Sequence, residues 1–204
     1  MKILVLGANG HVGTVVVQQA LAKGWQVRGF VRPGGMVAEG VEKFEGDARD
    51  AAGVAKALEG VDAVISTLGH AVPKKSDVMV TSAQAVLTAL GPNQHFVALT
   101  GNGVSNEKDP HQSLASNLMT LAIKLLPGGV FKDGNAMAQA LYASDKNWTL
   151  LRSVAMSNNE NGGYELGYYD EGFAMIGRKF VAQALLECAE SDTWTRQAPM
   201  IRPT

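Results

Sequence analysis

A doubly wound α/β fold, a parallel sheet covered by helices on both faces, is what this 204-residue sequence predicts. Three observations carry that reading. Short apolar runs alternate with segments of helical periodicity along most of the chain. The first run passes directly into a glycine-rich loop that opens a helix. The length suits one domain, at roughly 100–200 residues per domain, and can bury a core without metal or disulfide staples.

Ile3–Leu6 is a short apolar run ending at Gly7, the pattern of a strand buried on both faces. Apolar residues at helical spacing fill His11–Lys23, and Gly24 stands where that helix should end. Gln26–Val31 reads as a second strand, broken by Arg32-Pro33-Gly34-Gly35. A short third strand covers Val41–Glu45, a helix over Ala51–Leu58 closes at Gly60, and Ala63–Thr67 is a fourth strand. Asp77–Leu90 is helical up to Gly91-Pro92, and His95–Thr100 is the fifth strand. Helices are expected over Ser113–Leu126 and Lys132–Ser144, a sixth strand over Trp148–Arg152, and a last helix over Ile176–Ala189. Asn158–Gly172, rich in Gly, Asn and Tyr, reads as a loop with room for a hairpin. Strands alternating with helices build parallel sheets, whose ligands sit beyond the strands' carboxyl ends. The residues to inspect therefore follow Leu6, Val31, Glu45, Thr67, Thr100 and Arg152.

Composition removes several classes of function. Lys and Arg number 18 against 19 Asp and Glu, a net charge of −1, so the basic face that nucleic acid demands is not expected. Cys188 is the one cysteine, which excludes an intrachain disulfide and a cysteine metal cluster. A reducing cytoplasm fits that usage. The apolar run at Met1–Leu6 is too short for a signal peptide, and no stretch approaches the ~18 apolar residues of a membrane span. A cytoplasmic protein without a membrane partner is the expectation. No Gly-x-Ser-x-Gly elbow occurs, and His11, His70, His95 and His111 lack the i, i+4 pairing that suggests zinc. The sequence calls for no metal and assigns no oligomeric state.

The loop after the first strand is Gly7-Ala8-Asn9-Gly10-His11-Val12-Gly13, spacing GxxGxxG. Its place between a strand and a helix is the context of a dinucleotide-binding fingerprint. Gly7 permits the tight turn, Gly10 lets backbone approach a pyrophosphate, and Gly13 allows close packing of the helix. The N–H groups of the helix start, helped by its dipole, then face the anion. An ordinary glycine-rich turn is the alternative. Sites selective for NAD place an acid at the end of the second strand, on the ribose hydroxyls. Here that strand ends Gly29-Phe30-Val31-Arg32, without an acid. A guanidinium at that point can fork onto a 2′-phosphate, so NADP is preferred to NAD, with a solvated turn residue the alternative for Arg32. Arg28 shares the face but lies mid-strand, short of the site.

This spacing resembles the extended and atypical short-chain dehydrogenase/reductase families, whose sheet is Rossmann-like. Later segments sharpen the likeness. Gly46-Asp47 resembles the Gly-Asp beside the adenine ring in those families, and Ser66-Thr67-Leu68-Gly69 the segment that lines the cofactor ribose. Lys132-Asp133, then Asn147-Trp148-Thr149-Leu150-Leu151-Arg152, and finally Ile176-Gly177-Arg178-Lys179-Phe180-Val181-Ala182 resemble blocks of the NmrA-like NAD(P)H-binding group, near biliverdin reductase B (flavin reductase). The resemblance implies cofactor contacts from Gly7, Ala8, Asn9, Gly10, His11, Val12, Gly13, Arg32, Asp47, Thr67, Leu68, Gly69 and Thr100. It also implies one NAD(P)-binding domain over residues 1–204, with 153–204 contributing the substrate side. The implied activity is hydride transfer from NADPH to a small carbonyl, quinone or flavin, the alternative being an NADP(H)-binding redox sensor without turnover.

The family's catalytic positions are depleted. Tyr142-Ala143-Ser144-Asp145-Lys146 is formally YxxxK, but falls at the end of its helix, where the family's pair lies near the start. It reads as coincidence, with Lys146 capping the end of that helix. The fifth strand ends Thr100-Gly101-Asn102-Gly103 where relatives carry a Ser-Ser pair, so one hydroxyl remains. Thr100 can meet a substrate carbonyl or simply finish the strand. His70 can act as donor or acid at the nicotinamide or be solvated, and Lys132 is catalytic or a surface charge. Ala138 replaces a common Glu, and Ser153 the usual Pro. Tyr164, Tyr168 and Tyr169 can wall the substrate or pack the C-terminal region.

Overall fold

Alternation along the first strand sets the architecture. Ile3 and Val5 join the apolar cluster on one face of the sheet, Leu4 and Leu6 the cluster on the other, and all four are fully buried. The computed structural model describes residues 1–69, 77–110, 130–170 and 174–204. The elements run β1 (Lys2–Leu6), α1 (Gly13–Ala22), β2 (Gln26–Val31), β3 (Glu42–Glu45), α2 (Ala51–Ala57), β4 (Ala63–Ser66), α3 (Val78–Ala89) and β5 (His95–Gly101). They continue with α4 (Val130–Tyr142), β6 (Trp148–Ser153), β7 (Ala155–Ser157), β8 (Tyr164–Gly167), β9 (Met175–Gly177), α5 (Arg178–Glu190) and β10 (Met200–Pro203). The expected helix over Ser113–Leu126, and His70 and His111 with it, lie outside the described residues.

One sheet carries the order β3-β2-β1-β4-β5-β6-β10-β8, parallel except for β8, which runs antiparallel to β10 at the edge. This is a Rossmann-like α/β fold. The chain order reverses between β1 and β4, which places the ligand crevice at their carboxyl ends. Helices α1 and α5 cover one face through Val16, Val17, Val181 and Leu185. Helices α2, α3 and α4 cover the other through Val54, Val86, Met137 and Leu141. Among the described residues, no helix is long and apolar enough to cross a membrane.

The C-terminal part departs from expectation. Met200–Pro203, unassigned in the sequence reading, inserts as β10 beside β6, pairing Met200 with Arg152 and Ile201 with Ser153. Within the segment read as a loop with room for a hairpin, Tyr164–Gly167 forms β8, which pairs with β10. Ile176 and Gly177, expected at the start of the last helix, belong instead to Met175–Gly177. That segment is a strand, β9, parallel to β7, and α5 begins after it. Gly177 is needed there, because a Cβ would overlap the Asn159 carbonyl.

Two helix starts are capped in different ways. Asp50 caps α2 locally, its carboxylate accepting from Ala52 N at 3.1 Å and Gly53 N at 3.2 Å. Asp77 precedes α3 but does not cap it. That task falls to Asp133 of α4, a buried carboxylate accepting from Met79 N at 3.0 Å and Val80 N at 2.9 Å. The α3 dipole favours the charge, and the contact locks α3 to α4.

Candidate functional site

The glycine loop leaves β1 at the switch point. Gly7 has φ +79°, a left-handed conformation that favours glycine, and its carbonyl accepts from Gly10 N at 2.9 Å. Gly13 opens α1 so close to that carbonyl that a Cβ would overlap it and would lie 2.9 Å from Thr67 Oγ1. The close approach expected of Gly13 is therefore made to the loop itself and to the end of β4. Helix α1 has no side-chain cap and no acid in its first turn. The N–H groups of His11, Val12 and Gly13 find no partner among the described residues. A row of open donors at the positive end of a helix fits a pyrophosphate. Asn9, Gly10 and His11 form the exposed crest, Val12 is half-buried, and Ala8 is buried beneath them, against Gly29.

Thr67 braces this loop. Its hydroxyl lies 3.0 Å from the Leu6 carbonyl and 3.2 Å from that of Gly7, donating its one proton to that pair. Leu68 packs under Gly7, and Gly69 is exposed with open space around it. Asp47, exposed after β3, accepts from Arg49 N at 3.0 Å. Arg49 then reaches across to Asp77 at 2.9 Å, ahead of α3. That contact holds the Asp77 carboxyl below its ordinary range and raises the Arg49 guanidinium.

Arg32 stands at the end of β2, exposed and in no ion pair among the described residues. It begins a tight turn in which Gly35 N donates to the Arg32 carbonyl at 2.8 Å, Pro33 presets the bend and Gly34 takes φ +76°. These are the marks of a type II turn. A Cβ on Gly35 would come within 3.1 Å of Asn9 Nδ2, so the turn lies directly on the glycine loop. Arg28 is engaged elsewhere: Nε donates to Glu42 at 2.8 Å, and Nη1 to the carbonyls of Ala57 at 2.7 Å and Glu59 at 2.8 Å.

At the carboxyl end of β5, Thr100 is buried, its hydroxyl 2.8 Å from where a Cβ on Gly134 of α4 would stand. Lys132 is exposed in the first turn of α4, two residues before that contact. A Cβ on Gly101 would meet nothing within 4 Å, so the missing second hydroxyl is not excluded by packing. Tyr142 ends α4, about 15 Å of helix from Lys132 at 1.5 Å per residue. Its hydroxyl donates to the Ser105 carbonyl at 3.3 Å, its ring lies on Trp148, and burial raises its pKa. Lys146 Nζ donates to the Leu90 carbonyl at 2.9 Å. It caps α3, not its own helix, and the formal YxxxK makes no pair.

The sequence reading missed the anchor of the loop after β5. Arg152, fully buried, holds Asp109 with Nη1 at 2.7 Å and Nη2 at 2.5 Å, and donates to the Val104 and Ala198 carbonyls, both at 2.8 Å. A bidentate, charge-assisted pair of this kind pins the loop over the end of β6. The signal was the one charged residue inside a strand that is otherwise uncharged and buried. The tyrosines pack the C-terminal region. Tyr164 donates to Glu187 at 2.7 Å, Tyr168 lies against Trp194 and Arg152, and Tyr169 lies under Arg202.

A family model described as NAD(P)H-binding matches residues 7–192. The chain belongs to that NAD(P)H-binding family. Solved structures add the fold. A candidate NADH-flavin reductase from Streptococcus pneumoniae superposes with TM-score 0.79 at 20% identity, covering 100% of both chains. The anaerobillin reductase ChuY from Escherichia coli O157:H7 gives TM-score 0.74 at 20% identity, over 99% of this chain and 97% of that one. A short-chain dehydrogenase/reductase from Veillonella parvula, in complex with NADP, gives 0.76 at 19% identity, over 98% and 94%. In sequence, 71 residues are 42% identical to sterol demethylase protein B of Methylococcus capsulatus, covering 33% of this chain and 22% of that protein. The chain thus matches under a quarter of that relative's length.

Proposed function

We propose that this protein is an NADPH-dependent reductase that passes hydride to a small carbonyl, quinone or flavin acceptor. The observation that carries the reading is the α1 start, with three backbone donors open and the Arg32 turn packed against it. In this reading the donors of His11, Val12 and Gly13 hold the pyrophosphate, and Arg32 takes the 2′-phosphate. Asp47 lies toward the adenine, while Thr67, Leu68 and Gly69 shape the ribose side. Bound NADPH supplies the hydride, and the protein supplies orientation and a dry pocket. Thr100 and Lys132 border the acceptor at the carboxyl edge of β5, and His70 is the third candidate there. Residues 153–204 form the substrate side of a single domain. A cytoplasmic location agrees with the one thiol, Cys188, which is buried.

A second reading, an NADP(H)-binding sensor without turnover, draws support from the catalytic positions. Tyr142 and Lys146 are committed away from each other, and Gly101 lacks the hydroxyl. One experiment separates the two: NADPH oxidation followed over a panel of quinones, flavins and aldehydes. Turnover with any acceptor supports the reductase. Tight NADPH binding with no turnover across the panel overturns it in favour of the sensor.

A further inference from the structure

The end of β2 carries no acid in sequence, yet it has one in space. Glu45 is the last residue of β3 and pairs in register with Val31, the residue before Arg32. Its carboxylate accepts from Gly34 N at 3.3 Å, inside the turn that Arg32 begins. Lys43, two residues earlier and so on the same face of the strand, closes an ion pair with it. Lys43 and the Gly34 N–H hold the Glu45 carboxyl below its ordinary range. The Arg32–Gly35 turn therefore has an anion on one side and, as its first residue, a guanidinium without an ion pair among the described residues, and Gly35 brings the turn onto Asn9 of the glycine loop.

We infer that Glu45, seated on the Gly34 N–H and balanced by Lys43, is a cofactor-selectivity residue that opposes the 2′-phosphate and moderates the NADPH preference set by Arg32. The inference rests on the proposed placement of the adenosine ribose at this turn. An acid at the ribose favours the diol of NADH and repels a phosphate, the effect an acid at the end of β2 has in NAD-selective sites. Here the same charge is delivered from the neighbouring strand. Lys43 offsets part of it, and the net preference is the balance of Arg32, Lys43 and Glu45.

The test is calorimetric titration of NADPH and NADH into the parent protein and into Glu45→Gln, Lys43→Ala and Arg32→Ala. Gln keeps the oxygen that accepts from Gly34 N and removes only the charge. Glu45→Gln should raise the NADPH-to-NADH affinity ratio about two- to fivefold, the scale of an exposed charge pair. Lys43→Ala should lower the ratio by a similar factor, and both changes should shrink as salt is raised. An unchanged ratio in Glu45→Gln, with the variant folded by circular dichroism, overturns the inference whatever Arg32→Ala does. Arg32→Ala answers separately for the NADP reading: if that variant leaves the ratio unchanged, the 2′-phosphate does not sit at this turn.

Discussion

Arg32 and Tyr142 occupy opposite situations, the first exposed at the end of β2 beside the glycine loop and the second packed on Trp148 at the end of α4. The place of Arg32 is legible because it follows from chain order: it is the residue after the second strand, where the proposed ribose site lies. Glu45 was not legible, because it reaches the same turn through the β2–β3 register, which no local pattern states. A charge-assisted hydrogen bond contributes about 1.5–3 kcal/mol, or roughly ten- to a hundredfold in affinity. Arg32→Ala should weaken NADPH by about that factor and leave NADH nearly unchanged, as measured by titration. The glycine loop gives a second expectation. Gly10 is exposed on the loop crest, and the pyrophosphate would approach it closely. Gly10→Val should abolish dinucleotide binding while the circular dichroism spectrum stays that of the parent. Tyr142 is tied to Ser105 and Trp148, far along α4 from the carboxyl edge. Tyr142→Phe should keep any reductase activity within a few-fold. A loss of about a hundredfold, the usual scale for general acid–base help, would return it to the chemistry.

Helices and strands long enough to carry a period were legible, and the short ones were not. Strands β1, β2 and β5 and helices α1 and α3 begin and end within two residues of expectation, because each buries an apolar face and stops at, or within two residues of, a glycine or proline. Strands β7 and β9 have three residues each, too few to show alternation, and exist through pairing with each other. Strand β10 is flanked by Pro199 and ends in Pro203, signals that argue against a strand and are tolerated at its ends. The link between α3 and α4 was equally hidden, since Asp133 caps a helix some fifty residues earlier in the chain. Asp133→Ala should destabilise the fold by about 1–3 kcal/mol, the cost of leaving buried donors unpaired. Urea denaturation should show a lower midpoint with an unchanged m value. An unchanged midpoint would mean that α3 is held by its apolar face alone.

The two-sided sheet gives the molecule a defined response to acid. His95 opens β5, buried, with Nε2 3.0 Å from Thr149 Oγ1, and that hydroxyl donates to the Trp194 carbonyl at 2.9 Å. The oxygen, having given its proton away, accepts from Nε2–H. Burial pushes the His95 pKa below 6.5, with Asp192 opposing the shift. The unfolded chain therefore binds the proton first. His95 contributes stability that is present above about pH 6.5 and is lost as pH falls toward its folded pKa. Denaturation midpoints from pH 7.5 to 5 should fall less steeply for His95→Gln than for the parent, and equal slopes would remove His95 from the acid response. Across the whole fold, the strand order, the open α1 donors and the Arg32 turn converge on one crevice, and in the proposed reading Arg32 there outweighs the moderating Glu45. Calorimetric titration of the parent protein with NADPH and with NADH decides whether that convergence is a cofactor site. NADPH should bind about tenfold more tightly, the Arg32 contribution less the opposition of Glu45. Equal affinity for the two, or no binding of either, would contradict it.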